Sequence, residues 1–150
     1  MYKALNSDLI SRKYQFEIGQ TYEIEEGVEF EFEFCLDMQD CFYQHDMDSR
    51  ICEVKAEGIF RKEEGKRICR KITIIRELPK QEIMDKITGS RIAYLWAKDI
   101  GNKDVMIDRV TESKWAYRWA MEIGNRDVML PRITDERQRG QIEKNMRIED

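Results

Sequence analysis

A 23-residue period constrains this chain more than any other feature. Residues 87–109 read ITGSRIAYLWAKDIGNKDVMIDR and residues 110–132 read VTESKWAYRWAMEIGNRDVMLPR, and the two align without a gap with 13 of 23 positions identical. Such a recurrence implies one supersecondary unit copied in tandem, since each copy buries its apolar face only against a neighbour. Each copy predicts a longer helix, a glycine stop and a shorter helix. In the second copy Trp115, Ala116, Trp119, Ala120 and Ile123 fall on one arc of a helical wheel, about 140° wide at about 100° per residue. The first copy places Ile92, Ala93, Trp96, Ala97 and Ile100 on the same arc. The tryptophans therefore read as groove fillers between helices rather than as a stacking platform for a ligand.

The punctuation of the repeat carries further expectations. Gly101 and Gly124 are natural left-handed C-caps, Asn102 and Asn125 can cap the short helices, and Thr111 or Ser113 can cap the second long helix. Pro131 is expected to end or bend its short helix. Residues 79–86 repeat the short helix upstream, and residues 134–137 match the start of a further long helix whose later residues are polar.

The first half follows a different rule. Val28, Phe30, Phe32 and Phe34 alternate with Glu29, Glu31 and Glu33, and period two predicts a strand over 28–34 with three carboxylates on one face. Buried carboxylates need partners, so that face belongs to solvent or to a partner. Further strands are predicted over 2–5, 14–18, 21–24 and 50–56. Residues 59–61 and 68–75 are read as strands flanking a hairpin loop at 63–66, and Ile72, Ile74 and Ile75 favour a well-buried strand. Turns fall at 6–8, 25–27 and 46–49. Residues 36–45 read as a helix capped by Asp37, with Leu36, Cys41 and Phe42 on its apolar side. The expected fold is α+β: a small, mostly-β N-terminal domain over 1–77, packed against a helical repeat domain over 78–150.

Charge is also unevenly divided along the chain. Residues 1–58 carry 5 Lys/Arg and 14 Asp/Glu, a net −9, and residues 59–150 carry 21 and 16, a net +5, which together return the chain's −4. So acidic a module repels nucleic acid and attracts basic protein surfaces. No apolar run approaches the roughly 18 residues of a membrane span, and the N-terminus lacks a signal-peptide pattern. The four cysteines are then expected to be reduced thiols in a cytoplasm.

Catalytic motifs are sparse. Cys35, Cys41, His45 and Cys52 could in principle surround a metal, but they lack the tight C-x2-C pairs of structural zinc. Buried thiols are the preferred reading, and no cofactor is called for. His45 is the sole imidazole, and no Ser or Cys motif points to it. No phosphate-binding glycine loop occurs. Lys103, Arg109, Lys114, Arg118, Arg126 and Arg132 recur at repeat spacing and could form a ridge for phosphates. Asp99, Asp104, Asp108, Glu122 and Asp127 are interleaved with them, so an ion-paired, solvated surface is preferred.

The opening residues 2–9, YKALNSDL, and 11–23, SRKYQFEIGQTYE, resemble an uncharacterised domain common in phages and prophages, which typically reads Y-K-G-F-N-x-D-L-x-C-R-G-F-Q-Y-E-x-G-K-x-Y-E. Residues 31–35 stand where that family has G-F-H-[AF]-C, residues 49–54 match S-R-x-x-E-V, and residues 71–74 match K-I-x-I. The resemblance covers about residues 2–77. Short tandem helical repeats are also familiar from phage proteins. The chain departs from the pattern at Ala4 and Lys13 for Gly, Ser11 for Cys and Glu33 for His. If the family histidine is catalytic, this member has lost it. The order of elements is also similar to ADP-ribosyltransferase-like folds.

The resemblance, the acidic module and the lack of a catalytic set together imply a non-enzymatic phage or prophage binding protein in the host bacterial cytoplasm. It would inhibit a bacterial defence system, such as a CRISPR effector, by occlusion. The expected contact surface is Glu25, Glu26, Glu29, Glu31 and Glu33, set against a basic surface of a host protein or ribonucleoprotein. The alternatives are an ADP-ribosyltransferase-like enzyme acting on a host protein, and a nucleic-acid-binding helical repeat.

Overall fold

The computed structural model describes all residues except 12–13, 44, 59–60, 64–65 and 150, and leaves out the side chains of 61–63, 66 and 149. A sheet-rich N-terminal region precedes a helical C-terminal region, as the α+β reading expects. The chain divides into two compact units, Met1–Ile87 and Thr88–Asp150. The division falls beyond the expected domain boundary at 77/78, so helix α1 (Lys80–Lys86) belongs to the first unit.

In the first unit the alternating segments pair into an antiparallel sheet of order β1-β6-β9-β4, formed by Tyr2–Leu5, Arg50–Glu57, Lys71–Glu77 and Thr21–Glu23. A second sheet has the order β5-β8-β7, formed by Phe32–Phe34, Lys66–Cys69 and Arg61–Glu63. Residues 68–75, expected as one strand, are therefore two, broken at Arg70 and placed in different sheets. The hairpin itself is present, with Glu63 opposite Lys66, and its tip at 64–65 lies outside the described residues. Tyr2 and Cys35 bond each other's backbone both ways at 2.8 Å, which ties the edge of the first sheet to the end of β5.

Leu5, Phe16, Phe32, Phe34, Val54, Ile72 and Ile74 belong to one buried cluster. Aromatic edges tighten it: Phe16–Tyr22 centroids are 4.9 Å apart at 80°, and Tyr14–Phe32 are 5.1 Å apart at 71°. Such pairs contribute about 0.5–1.5 kcal/mol beyond area burial. Ile75 is 47% exposed, because it lies on the opposite face of β9 from Ile72 and Ile74. Over 14–18 only β3 (Tyr14–Gln15) is strand, paired with β2 (Ile10–Ser11). Residues 36–45 yield a shorter 3-10 helix, Met38–Tyr43. Asp37 caps it as expected, accepting the Gln39 N–H at 2.9 Å. Cys41 and Phe42 are buried as expected, but Leu36 is 52% exposed and Met38 takes its place on the buried side.

The second unit repeats in space as in sequence. Helix α2 (Ser90–Asp99), α3 (Lys103–Met106) and a 3-10 turn (Ile107–Arg109) are followed by α4 (Ser113–Glu122), α5 (Arg126–Met129) and a 3-10 turn (Leu130–Arg132). Trp96, Ala97, Trp119 and Ala120 are buried, as the groove-filling reading expects. Trp115 is half-buried against Tyr94, at 5.7 Å. Gly101 and Gly124 are left-handed, at φ 133° and 127°, and their N–H groups donate to Trp96 and Trp119 carbonyls.

Three of the expected caps are corrected. Asn102 and Asn125 adopt left-handed backbone before the short helices, but neither side chain caps. Each instead accepts the indole N–H of its own copy's tryptophan, Trp96 at 3.4 Å and Trp119 at 3.1 Å. Neither Thr111 nor Ser113 caps α4, whose N-cap is Glu112 without a side-chain bond. The Ser90 hydroxyl, one copy earlier, accepts the N–H groups of Thr111 and Glu112 at 3.0 Å each, and Ser113 accepts Thr134 N–H at 2.9 Å. Pro131 is not what shortens α5, since α3 ends in the same 3-10 turn with Asp108 at that position.

Helix α6 (Glu136–Glu149) starts where the pattern places a third long helix, with the Asp135 carboxylate accepting Gln138 N–H at 2.8 Å. Ile142, at the Trp119 position, is buried. Arg132 donates to the carbonyls of Ile107 and Val110, at the junction of the two copies. Arg139 reaches the equivalent pair, Leu130 and Ile133, at 3.0 Å each. A polar helix thus closes the stack with the same carbonyl clamp.

Candidate functional site: an acidic loop on an arginine clamp

The loop after β4 leaves the core at Ile24, whose N–H donates to Arg70 O at 2.8 Å. It turns at Gly27, with Val28 N–H donating to Glu25 O at 3.2 Å. Gly27 has φ 87°, a conformation that costs a residue with a Cβ about 1–2 kcal/mol. The loop returns through Phe30, packed on Tyr14 at 5.0 Å, into Phe32 and β5. The expected strand over 28–34 is thus shorter than the alternation suggests, and residues 28–31 are loop.

What orders those residues is Arg70, at the corner between β8 and β9. Its guanidinium donates to Glu25 O at 2.6 Å, to Val28 O at 3.2 Å from both terminal nitrogens, and to Phe30 O at 3.5 Å. A planar fork of fixed N–H donors suits several convergent carbonyls. The backbone oxygens point inward to a cation, while Glu25, Glu26 and Glu29 stand exposed.

The five carboxylates named from the sequence are therefore divided. Glu25, Glu26 and Glu29 share the exposed loop. Glu31 and Glu33 are half-buried and line a cavity with Lys3, Ser11, Phe16, Phe30 and Phe32. Its volume is about 10 Å³, room for about one water. Lys3 is buried there, donating from Nζ to Glu33 O at 2.8 Å and lying 5.6 Å from the Phe16 ring centre.

The other candidate groups are placed as follows. Among the described residues, Cys35, Cys41, His45 and Cys52 are not gathered into a metal-ligand group. Cys41, Cys52 and Cys69 are buried thiols. In the helical unit several cations of the proposed ridge bond protein groups. Arg132 holds two carbonyls, Arg126 Nε donates to Ala120 O at 3.3 Å, and Arg118 pairs with Glu122 at 3.2 Å. Arg118 also lies 5.3 Å from the Tyr94 ring centre and 5.6 Å from that of Trp115. Among the described residues no helix is long and apolar enough to cross a membrane. Arg70, which organises this loop, was not legible as such in the sequence, since a lone arginine inside an apparent strand gives no local sign of its partners.

The first unit is thus an antiparallel β domain that presents an anchored acidic loop. Residues 1–86 match the family described as Domain of unknown function (DUF7666), and the chain belongs to that family. Comparison with curated proteins and with solved structures finds no match.

Proposed function

We propose that this chain is a phage- or prophage-encoded binding protein, without a catalytic role of its own, that blocks a basic surface of a host protein or ribonucleoprotein. Inhibition of a bacterial nuclease-based defence system by occlusion is the activity that best fits such a surface. The observation that carries the reading is the Arg70 clamp, which holds the 25–30 backbone by its carbonyls and leaves three carboxylates outward. An acidic loop fixed before contact loses little entropy on binding, and its field speeds encounter with a cationic partner. The phage setting rests on the sequence resemblance over residues 2–77. The cations committed within the helical unit weigh against direct nucleic-acid binding there.

The test is capture of tagged protein from bacterial lysate, with and without nuclease treatment, read by mass spectrometry. A stoichiometric nucleic-acid-binding host protein retained after nuclease treatment is the expected result. The triple variant Glu25→Lys, Glu26→Lys, Glu29→Lys should weaken that capture at least tenfold and flatten its salt dependence. Unchanged capture by the variant would remove the loop as the contact surface.

A further inference from the structure

The second copy of the repeat departs from the first on one face. Where the first copy has Ile92 and Leu95, the second has Trp115 and Arg118. Ile92 is buried, as a core position requires, but Trp115 is only half-buried. Trp115 packs on Tyr94 of α2, with ring centres 5.7 Å apart and planes at 32°. Arg118 lies over both rings, 5.3 Å from the Tyr94 centre and 5.6 Å from that of Trp115. Lys114 stands 5.1 Å from the Trp115 centre and Lys98 stands 6.0 Å from that of Tyr94. The electron-rich face of a ring attracts a cation. Helices α2 and α4 thus gather three positive charges around one aromatic platform.

The helical unit does not satisfy this platform with its own groups. Glu122 reaches Arg118 at 3.2 Å and Lys98 at 3.5 Å, so one carboxylate is shared between two cations. Their side chains are 36–45% exposed, and pairs that wet hold weakly. Lys114 is exposed beside them. Tyr94 is fully buried, and among the described residues its hydroxyl has no hydrogen-bond partner, which is destabilising. Three cations against one carboxylate leave the platform positive in a chain of net charge −4. The complementary surface is the acidic loop. Glu25, Glu26 and Glu29 are exposed there on a backbone that Arg70 holds, with the apolar Val28 38% exposed among them. Carboxylates around an apolar side chain match cations around a half-open indole in both charge and character.

We propose that this chain self-associates, with the acidic loop of one copy seated on the Tyr94–Trp115–Arg118 platform of a second copy. Glu25, Glu26 and Glu29 face Lys98, Lys114 and Arg118, and Val28 covers the open part of Trp115. Each copy carries one loop and one platform, so the contact joins unlike surfaces. It closes as a pair when two copies exchange loops, and propagates head to tail otherwise. A loop held by a second copy is withheld from any other cationic partner, so self-association and host binding compete. The inference rests on the acidic loop being a contact surface, as the proposed function does.

The experiment is sedimentation velocity on the full chain over a concentration series, at about 50 mM and about 500 mM salt. A species heavier than the monomer should grow with concentration at low salt and weaken at least about tenfold at high salt. Lys114→Glu with Arg118→Glu should be monomeric alone, and so should Glu25→Lys with Glu26→Lys and Glu29→Lys. Mixed, the two variants should associate, because each reversed surface then meets its opposite. A carbodiimide cross-link from Lys114 to Glu25, Glu26 or Glu29, joining an isotope-labelled copy to an unlabelled one, is expected in the wild type whether or not the variants fold. A wild-type chain that stays monomeric, the absence of that cross-link, or folded variants that fail to associate on mixing would overturn the proposal. So would a platform that holds single-stranded oligonucleotide while the chain stays monomeric. Host capture by a strictly monomeric chain would overturn self-association alone and leave the loop as a host contact.

Discussion

The two units solve one problem, loop carbonyls that need donors, with the same side chain in opposite ways. In the helical unit Arg132 and Arg139 each hold two carbonyls at equivalent positions of successive copies. In the sheet unit Arg70 holds the carbonyls of a loop that occurs once, 40 to 45 residues away in sequence. A repeated contact stabilises by recurrence, so losing one copy loosens one interface. A single clamp concentrates the order of a whole loop on one residue. It therefore suits a site whose side chains must stay in place while its backbone makes no ladder.

The largest effect expected on this comparison is in the two cores. Trp96→Ala and Trp119→Ala should each destabilise the helical unit by about 3–5 kcal/mol, as deletion of a buried aromatic does, measured by urea unfolding followed by circular dichroism. Phe32→Ala in the sheet unit should fall in the same range. A loss at Trp96 several-fold different from that at Trp119 would break the equivalence of the copies. The clamps come next. Arg132→Met should cost the helical unit about 1.5–3 kcal/mol, the range for hydrogen bonds to a charged group. Arg70→Met should instead release the loop locally, raising cleavage by a Glu-specific protease at Glu25, Glu26 or Glu29 about tenfold, with far-ultraviolet dichroism unchanged. Global unfolding of Arg70→Met would mean that the clamp supports the whole unit.

A smaller effect concerns acid. Arg50 donates two hydrogen bonds of 2.6 Å to Glu77, which holds that carboxyl below its ordinary range. The stabilisation is present above the ordinary glutamate value of about 4.3 and is lost as pH falls through the lowered folded value. The pair is partly exposed, so Glu77→Gln should remove at most about 1 kcal/mol at neutral pH and should flatten the loss of stability on acidification below that value. An unchanged acid limb would assign the slope to other groups, Glu82 under Arg76 first among them. The smallest effect separates the two staples between copies. Ser90 accepts two N–H groups and Ser113 one, so Ser90→Ala should cost about 1 kcal/mol and Ser113→Ala less. The reverse order in denaturation midpoints would show that the first interface repacks.

Legibility follows the range of the interaction. The long and short helices, the glycine stops and the start of α6 were readable because they depend on residues within one or two turns. Ser113 and the asparagines at the same junctions were misread as local caps, since Ser113 accepts the Thr134 N–H instead. Ser90 serves the next copy and Asn102 serves its own tryptophan, and a helix-end pattern looks the same in either case. In the sheet unit, alternation located most strands but could not say where one sheet passes into another. Residues 68–75 read as one strand, yet the chain bends at Arg70 and its two parts enter different sheets. The acidic loop was visible as composition. Its division into three exposed and two half-buried carboxylates was not, since that depends on Arg70 and Lys3 arriving from elsewhere.

By itself the sequence determined the period of the helical unit, the burial of Trp96 and Trp119, the sheet character of the first half and the concentration of negative charge there. These follow from spacing and composition, which every copy or strand must satisfy locally. Tertiary structure decided which arginines hold which carbonyls and which carboxylates face outward. Each of those outcomes depends on where the chain returns to itself, and no local spacing encodes that return.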